Sequence, residues 1–127
     1  MSLETLKSTA DKLVAHCRAH TEYEGLKELY DPAAVSVEAG PMPGMDSPET
    51  KGVEGIKGKH DWWESTMEVH SHKEEGPYLH GDDRFAVIFE FDATNKQSGQ
   101  RTQMKEVGIY TVNDSGKIVR EEFYYTM

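Results

Sequence analysis

Two glutamates, Glu106 and Glu121, stand among apolar positions of alternating segments, and one histidine, His60, stands in an apolar stripe of helical spacing. Carboxyls gathered in an apolar space lose hydration and repel one another, which lifts at least one pKa toward neutrality and fits it for general acid or base work. An imidazole at such a place can pass a proton to or from a neighbouring carboxylate, or serve as a hydrogen-bonded core residue. Tyr110 and Tyr125 can donate to a substrate oxygen or cap a buried glutamate. Trp63, Phe89 and Phe123 can line an apolar ligand or pack a core. His70-x-His72 and His80 lack a carboxylate at a convincing spacing, so no metal site is assigned, and no cofactor is expected.

The elements that must position these groups follow from periodicity. Leu3, Leu6, Ala10, Leu13, Val14 and Cys17 form the stripe of a first amphipathic helix. Thr21-Glu22-Tyr23-Glu24 has capping-box form and predicts a second helix, stopped by Asp31-Pro32. Ala34 to Ala39 alternates as a half-buried strand. Gly40, Pro41, Pro43, Gly44 and Pro48 exclude regular structure, so the stretch from Gly40 to Thr50 is a loop, and its Met42 and Met45 can close over an apolar ligand or pack on themselves. Val53, Ile56, His60, Trp63 and Met67 predict a third helix. Strand material follows: Val69 to Glu75, a break at Gly76-Pro77, Tyr78 to His80, Arg84 to Asn95, Arg101 to Val112 and Lys117 to Tyr125.

Charge fixes the register of the later strands. If the turn from Lys96 to Gly99 pairs Asn95 with Gln100, Glu90 faces Lys105 and Phe89 faces Glu106, whereas a slip of one residue sets Glu90 against Glu106. One face then carries Phe85, Val87, Phe89, Phe91, Met104, Glu106, Gly108 and Tyr110, joined by Val119, Glu121, Phe123 and Tyr125. The other carries Ala86, Ile88, Glu90, Val107, Ile109, Arg120 and Glu122, a mixture suited to water or to a dimer contact. Helices followed by strands make the class α+β, with helices on one face of a curved antiparallel sheet.

At 127 residues the chain is a single domain, 1–127, able to hold one core without staples. Its net charge of −9 repels phosphate backbones and anionic lipid surfaces, so nucleic acid and membrane are not expected as partners. A single cysteine, Cys17, forms no internal disulfide, and no segment has the length and apolarity of a signal sequence or membrane span, which predicts a cytoplasmic protein.

The order ααβαββββ, the approach through Leu29-Tyr30 to the first strand and the Gly116-Lys117-Ile118-Val119 run before the last one resemble the SnoaL-like, ketosteroid-isomerase-like branch of the nuclear transport factor 2-like superfamily. The resemblance implies a cone-shaped curved sheet wrapped around three helices, an internal pocket and a homodimer through the outer sheet face. The segment Leu29-Tyr30-Asp31-Pro32-Ala33-Ala34-Val35-Ser36-Val37-Glu38 is similar to the isomerase segment that ends in its general base, which places Glu38 in that role beside Glu106 and Glu121. The family's oxyanion donors do not carry over, since their positions fall on Val14 and Gly108. An epoxide-hydrolase pattern would need an arginine in the pocket, and Arg84, Arg101 and Arg120 project elsewhere in this register. Two readings follow. One is a cofactor-independent enzyme, with Glu38 as base, Glu106 or Glu121 as acid and tyrosine or His60 as donors, performing an isomerase, cyclase or dehydratase step on a small apolar oxygenated molecule. The alternative is a non-catalytic ligand-binding or dimerising accessory protein.

Overall fold

A computed structural model describes residues 1–126. Helix α1 spans Leu3–Ala19, α2 Glu22–Leu29 and α3 Val53–Thr66. The strands are β1 Tyr30–Val37, β2 Glu49–Lys51, β3 Met67–His80, β4 Arg84–Asn95, β5 Arg101–Val112 and β6 Ile118–Tyr124. They form one curved, unclosed six-stranded sheet in the order β2-β1-β6-β5-β4-β3, and the three helices cover its inner face.

The strand arrangement departs from the sequence expectation in several ways. The sheet is mixed rather than antiparallel throughout, because β1 runs parallel to β6. An extra strand, β2, lies at the end of the Gly/Pro-rich loop and pairs with β1 through Val37 and Glu49. Three residues carry no readable alternation, which hid it. The expected break at Gly76-Pro77 is an irregularity inside one long strand, since pairing lapses after Glu75 and resumes at Tyr78.

Helix α1 starts at Ser2, whose hydroxyl accepts from the Thr5 N–H at 3.1 Å. Its buried stripe is Leu6, Thr9, Ala10, Leu13 and Val14, while Leu3 is 63% exposed and Cys17 only partly buried. The capping box at Thr21 does not form. The Thr21 hydroxyl lies 2.7 Å from His16 Nδ1 instead, so the corner between α1 and α2 is held across the turn. Helix α3 tolerates Gly55 for a packing reason: a Cβ there would come within 2.8 Å of the Thr50 side chain on β2. It ends at Thr66, and Met67 begins β3.

The β4/β5 register is the one that charge selects, with Glu90 opposite Lys105 and Phe89 opposite Glu106. On β6 an irregularity between Thr111 and Val112 pairs Val112 with Ile118, so the fully buried residue is Ile118 and Val119 is left half-buried. On β1 Tyr30 is buried, and further along Ala34 and Ser36 are both 0% exposed, which aims Glu38 inward with them and leaves Val35 and Val37 half-buried. Leu6, Val14, Ile56, Phe85, Val87 and Ile118 form the centre of the core. Each such side chain contributes about 1.5–3 kcal/mol on burial.

Candidate active site

The inner face is sealed at one end and reached by solvent further along. Phe85, Val87, Tyr110, Val112 and Ile118 are buried, whereas Phe91, Met104, Glu106, Phe123 and Tyr125 are half-buried, as is Trp63 above them on α3. Their rings form a continuous run. Trp63 tilts against Phe91 at 5.4 Å between centroids, Phe91 stacks on Phe89 at 6.1 Å, and Phe89 meets Phe123 at 6.5 Å. Phe123 then stands edge-on to Tyr110 at 6.3 Å, and Tyr110 stacks on Phe85 at 4.9 Å. Two open hollows lie at the surface, one of 390 Å³ beside the start of α1 and one of 550 Å³ flanked by Lys73, Glu90 and Lys105, and neither includes Glu38, Glu106 or Glu121.

The three glutamates sit in different environments. Glu121 is fully buried and accepts from the Tyr30 hydroxyl and from the Ser36 hydroxyl at 2.9 Å. Burial pushes its pKa up, while those two hydrogen bonds and the Lys59 charge pull it back. Glu38 is held from both sides: Lys59 Nζ lies 2.5 Å from one carboxylate oxygen and the Tyr125 hydroxyl donates to the other at 2.9 Å. Glu106 has no hydrogen bond or ion pair among the described residues. Burial, then the negative charge of Glu38, raises its pKa from 4.5 to about 7, against the opposing pull of Lys59. At neutral pH this carboxyl can both take up and release a proton.

Lys59 is the group the sequence reading missed. It donates to Ser36 Oγ at 2.7 Å, pairs with Glu38 and stands 5.4 Å over the Phe123 ring, with its side chain only 12% exposed. An unbroken chain therefore runs Tyr125–Glu38–Lys59–Ser36–Glu121–Tyr30. The available signal was spacing, because Lys59 lies three residues after Ile56 and four before Trp63.

His60 does not join the glutamates. It lies 6.0 Å from the Tyr23 ring of α2, its charged neighbours are Glu22, Lys59, Asp61 and Glu64, and burial lowers its pKa, which keeps the imidazole neutral. Tyr125 does join them, with its pKa pushed up to about 12 by burial and by the bond to Glu38. Tyr110 is 3% exposed, and burial, then the charge of Glu121, raises its pKa. Gly108 explains why no acid stands at that strand position: a Cβ there would meet Tyr110, Phe89 and Phe123 at 3.0–3.2 Å. The pairing lapse after Val69 separates the two strand histidines, with His70 on Thr94 and His72 on Glu74, each at 2.7 Å. Burial pushes the Cys17 thiol up, which leaves it unreactive.

Helices covering the inner face of a curved, unclosed mixed sheet, with a partly open polar cluster between them, define a nuclear transport factor 2-like α+β domain. The chain belongs to the SnoaL-like family, whose domain model matches residues 5–125. A candidate SnoaL-like polyketide cyclase from Mesorhizobium loti is 36% identical, with a TM-score of 0.84 over 94% of this chain and 97% of that one. A candidate isomerase from Bacillus subtilis shares the fold at 19% identity and a TM-score of 0.75, over 99% and 90% of the two chains. Rv0760c from Mycobacterium tuberculosis, solved with estradiol-17beta-hemisuccinate, shares it at 18% identity and a TM-score of 0.71, over 100% and 96%. No curated protein matches the chain. Among the described residues no helix is long and apolar enough to cross a membrane.

Proposed function

We propose that this chain is a cofactor-independent enzyme that binds a small apolar, carbonyl-bearing molecule on the inner sheet face and moves a proton with Glu106. The observation that carries the reading is the state of that carboxyl, half-buried opposite Phe89, without a hydrogen bond or ion pair among the described residues and poised near neutrality. The carboxylate of Glu106 takes a proton from the carbon beside the carbonyl. The C–H electron pair becomes a C=C bond, and the carbonyl π pair moves onto oxygen. Where the substrate also carries a β,γ C=C bond, the electron pair spreads as a dienolate. Return of the proton to the γ carbon, with the C=C bond moving into conjugation and the C=O bond restored, then completes an isomerisation. Attack of the carbon that lost the proton on a second carbonyl completes a cyclisation, with the proton delivered to the new alkoxide. Glu38, pinned by Lys59 and Tyr125, acts as a positioning residue, and Glu121 as a buried anchor of the same chain of bonds. An apolar ligand is further supported by the solved relative that holds a steroid ester.

Exchange in deuterated water tests the proposal. A panel of apolar ketones should lose α-proton NMR signal in the presence of the wild type and not with Glu106→Gln. Equal rates with both proteins would refute it. The second reading, a ligand-binding protein without chemistry, is favoured by the fact that Glu38 and Glu121 already have their donors. It predicts ligand binding without exchange. Either reading takes a homodimer through the outer face, where Ile88, Val107 and Ile109 are half-buried and Tyr78 and Tyr124 are 50% and 57% exposed.

A further inference from the structure

The missing element in a proton abstraction is a group to hold the negative oxygen, since such electrostatic stabilisation is commonly the largest catalytic contribution. Lys59 has the required geometry. An ammonium has three N–H donors, and the Lys59 Nζ has two acceptors among the described residues, Ser36 Oγ at 2.7 Å and Glu38 Oε1 at 2.5 Å. It stands over the ring of Phe123, which pairs with Gly108, two residues along β5 from Glu106, and its charge is felt by the Glu106 carboxyl. Ser36 is wholly buried and Glu38 is tied to Tyr125, so the ammonium is aimed by groups that cannot follow a ligand.

We infer that Lys59 donates to the substrate oxygen that becomes negative, and that the substrate class is an apolar molecule bearing an enolisable carbonyl or a phenolic hydroxyl. The inference rests on the proton-transfer reading for its chemistry. When the proton moves to Glu106, negative charge leaves a carboxyl with no hydrogen-bond or ion-pair partner among the described residues and arrives on an oxygen facing a cation. The charge of the whole site is unchanged by this transfer, while its placement improves, and that difference exists only once the bond has begun to break. Glu38 keeps the ammonium in place and balances its charge in the resting state.

The test is 4-nitrophenol, whose phenolate is coloured and whose ionisation is read directly by absorbance. The wild type should bind the phenolate in preference to the phenol, Lys59→Arg should keep that preference within a few-fold, and Lys59→Met should weaken phenolate binding about tenfold or more, as loss of a hydrogen bond to a charged group implies. Lysine side-chain nitrogen NMR of the unaltered protein gives a second reading: one resonance, assigned by its loss in Lys59→Arg, should move on addition of the phenolate. Equal phenolate affinity in wild type and Lys59→Met, binding of the neutral phenol alone, no binding by the wild type, or an unmoved resonance each overturns the inference. Glu106→Gln separates it from the reading beneath: loss of ketone exchange there with phenolate binding intact supports both, and wild-type phenolate binding without any ketone exchange sinks the proton-transfer role of Glu106 while the oxygen-binding role of Lys59 stands.

Discussion

Replacement of Glu106 by glutamine should stabilise the fold, and only above a certain pH. In the native state the carboxyl titrates at about 7, against 4.5 for the free group, mainly because it is buried and next because Glu38 is negative. Below about pH 4 the carboxyl is protonated in folded and unfolded chains alike, and glutamine resembles it closely, so the two proteins should be equally stable. As pH rises above the unfolded value, the unfolded chain releases its proton while the folded one keeps it, and wild-type stability falls. The loss is complete above the folded value. Over the gap from 4.5 to about 7, at about 1.4 kcal/mol per pH unit, it comes to about 3 kcal/mol. Urea unfolding of the two proteins from about pH 4 to pH 8 should therefore show a difference that opens from nothing to about 3 kcal/mol, a rise of about 10 °C in Tm at the upper end. A difference that stays flat across this range would show that Glu106 is not held in its neutral form by the fold, and the acid/base reading would go with it.

Other perturbations have equally definite outcomes. Tyr30→Phe removes a donor to the buried Glu121, and the loss, about 1–3 kcal/mol, should grow as pH rises because that bond favours the ionised carboxylate. Thr50→Val replaces a buried hydroxyl that has no partner among the described residues, and thermal unfolding should show a Tm equal to or above wild type. Gly108→Ala forces a methyl among three rings at 3.0–3.2 Å and should cost about 1–3 kcal/mol, with altered near-ultraviolet dichroism from the displaced aromatics. Sedimentation should give twice the 14.4 kDa chain mass, and Ile109→Lys on the outer face should give the single chain.

The parts legible in the sequence were those in which local pattern and burial agree. Two helical stripes announced α1 and α3, the Thr21-to-Glu24 pattern and the Asp31-Pro32 stop announced α2, and the opposition of Glu90 to Lys105 fixed the β4/β5 ladder because a slip would have set like charges together. What escaped was set by partners distant along the chain. Nothing near Tyr30–Val37 reveals that it runs parallel to β6, and the one-residue adjustment that buries Ile118 instead of Val119 is decided by the neighbouring strand. Lys59 and His60 illustrate the same limit on one helix. Adjacent residues lie about 100° apart around the axis, so a stripe wide enough to include both cannot say which of them faces the strands. The structure gives that place to the lysine, whose ammonium needs the carboxylate of Glu38, and turns the histidine toward Tyr23.

The parallel pairing of β1 with β6 also bears on how the molecule comes together in time. Ser36 and Glu121 are 85 residues apart, whereas β3, β4 and β5 are joined by short turns. Contacts closed over long loops cost the most chain entropy before they return any stability, so the β3–β5 meander is the natural nucleus and the β1/β6 seam a late event. The chain of bonds from Tyr125 to Tyr30 crosses that seam, so the candidate polar cluster should be completed late in folding. Ser36→Ala should accordingly speed unfolding with little change in the folding rate, and Val87→Ala in the meander should slow folding itself.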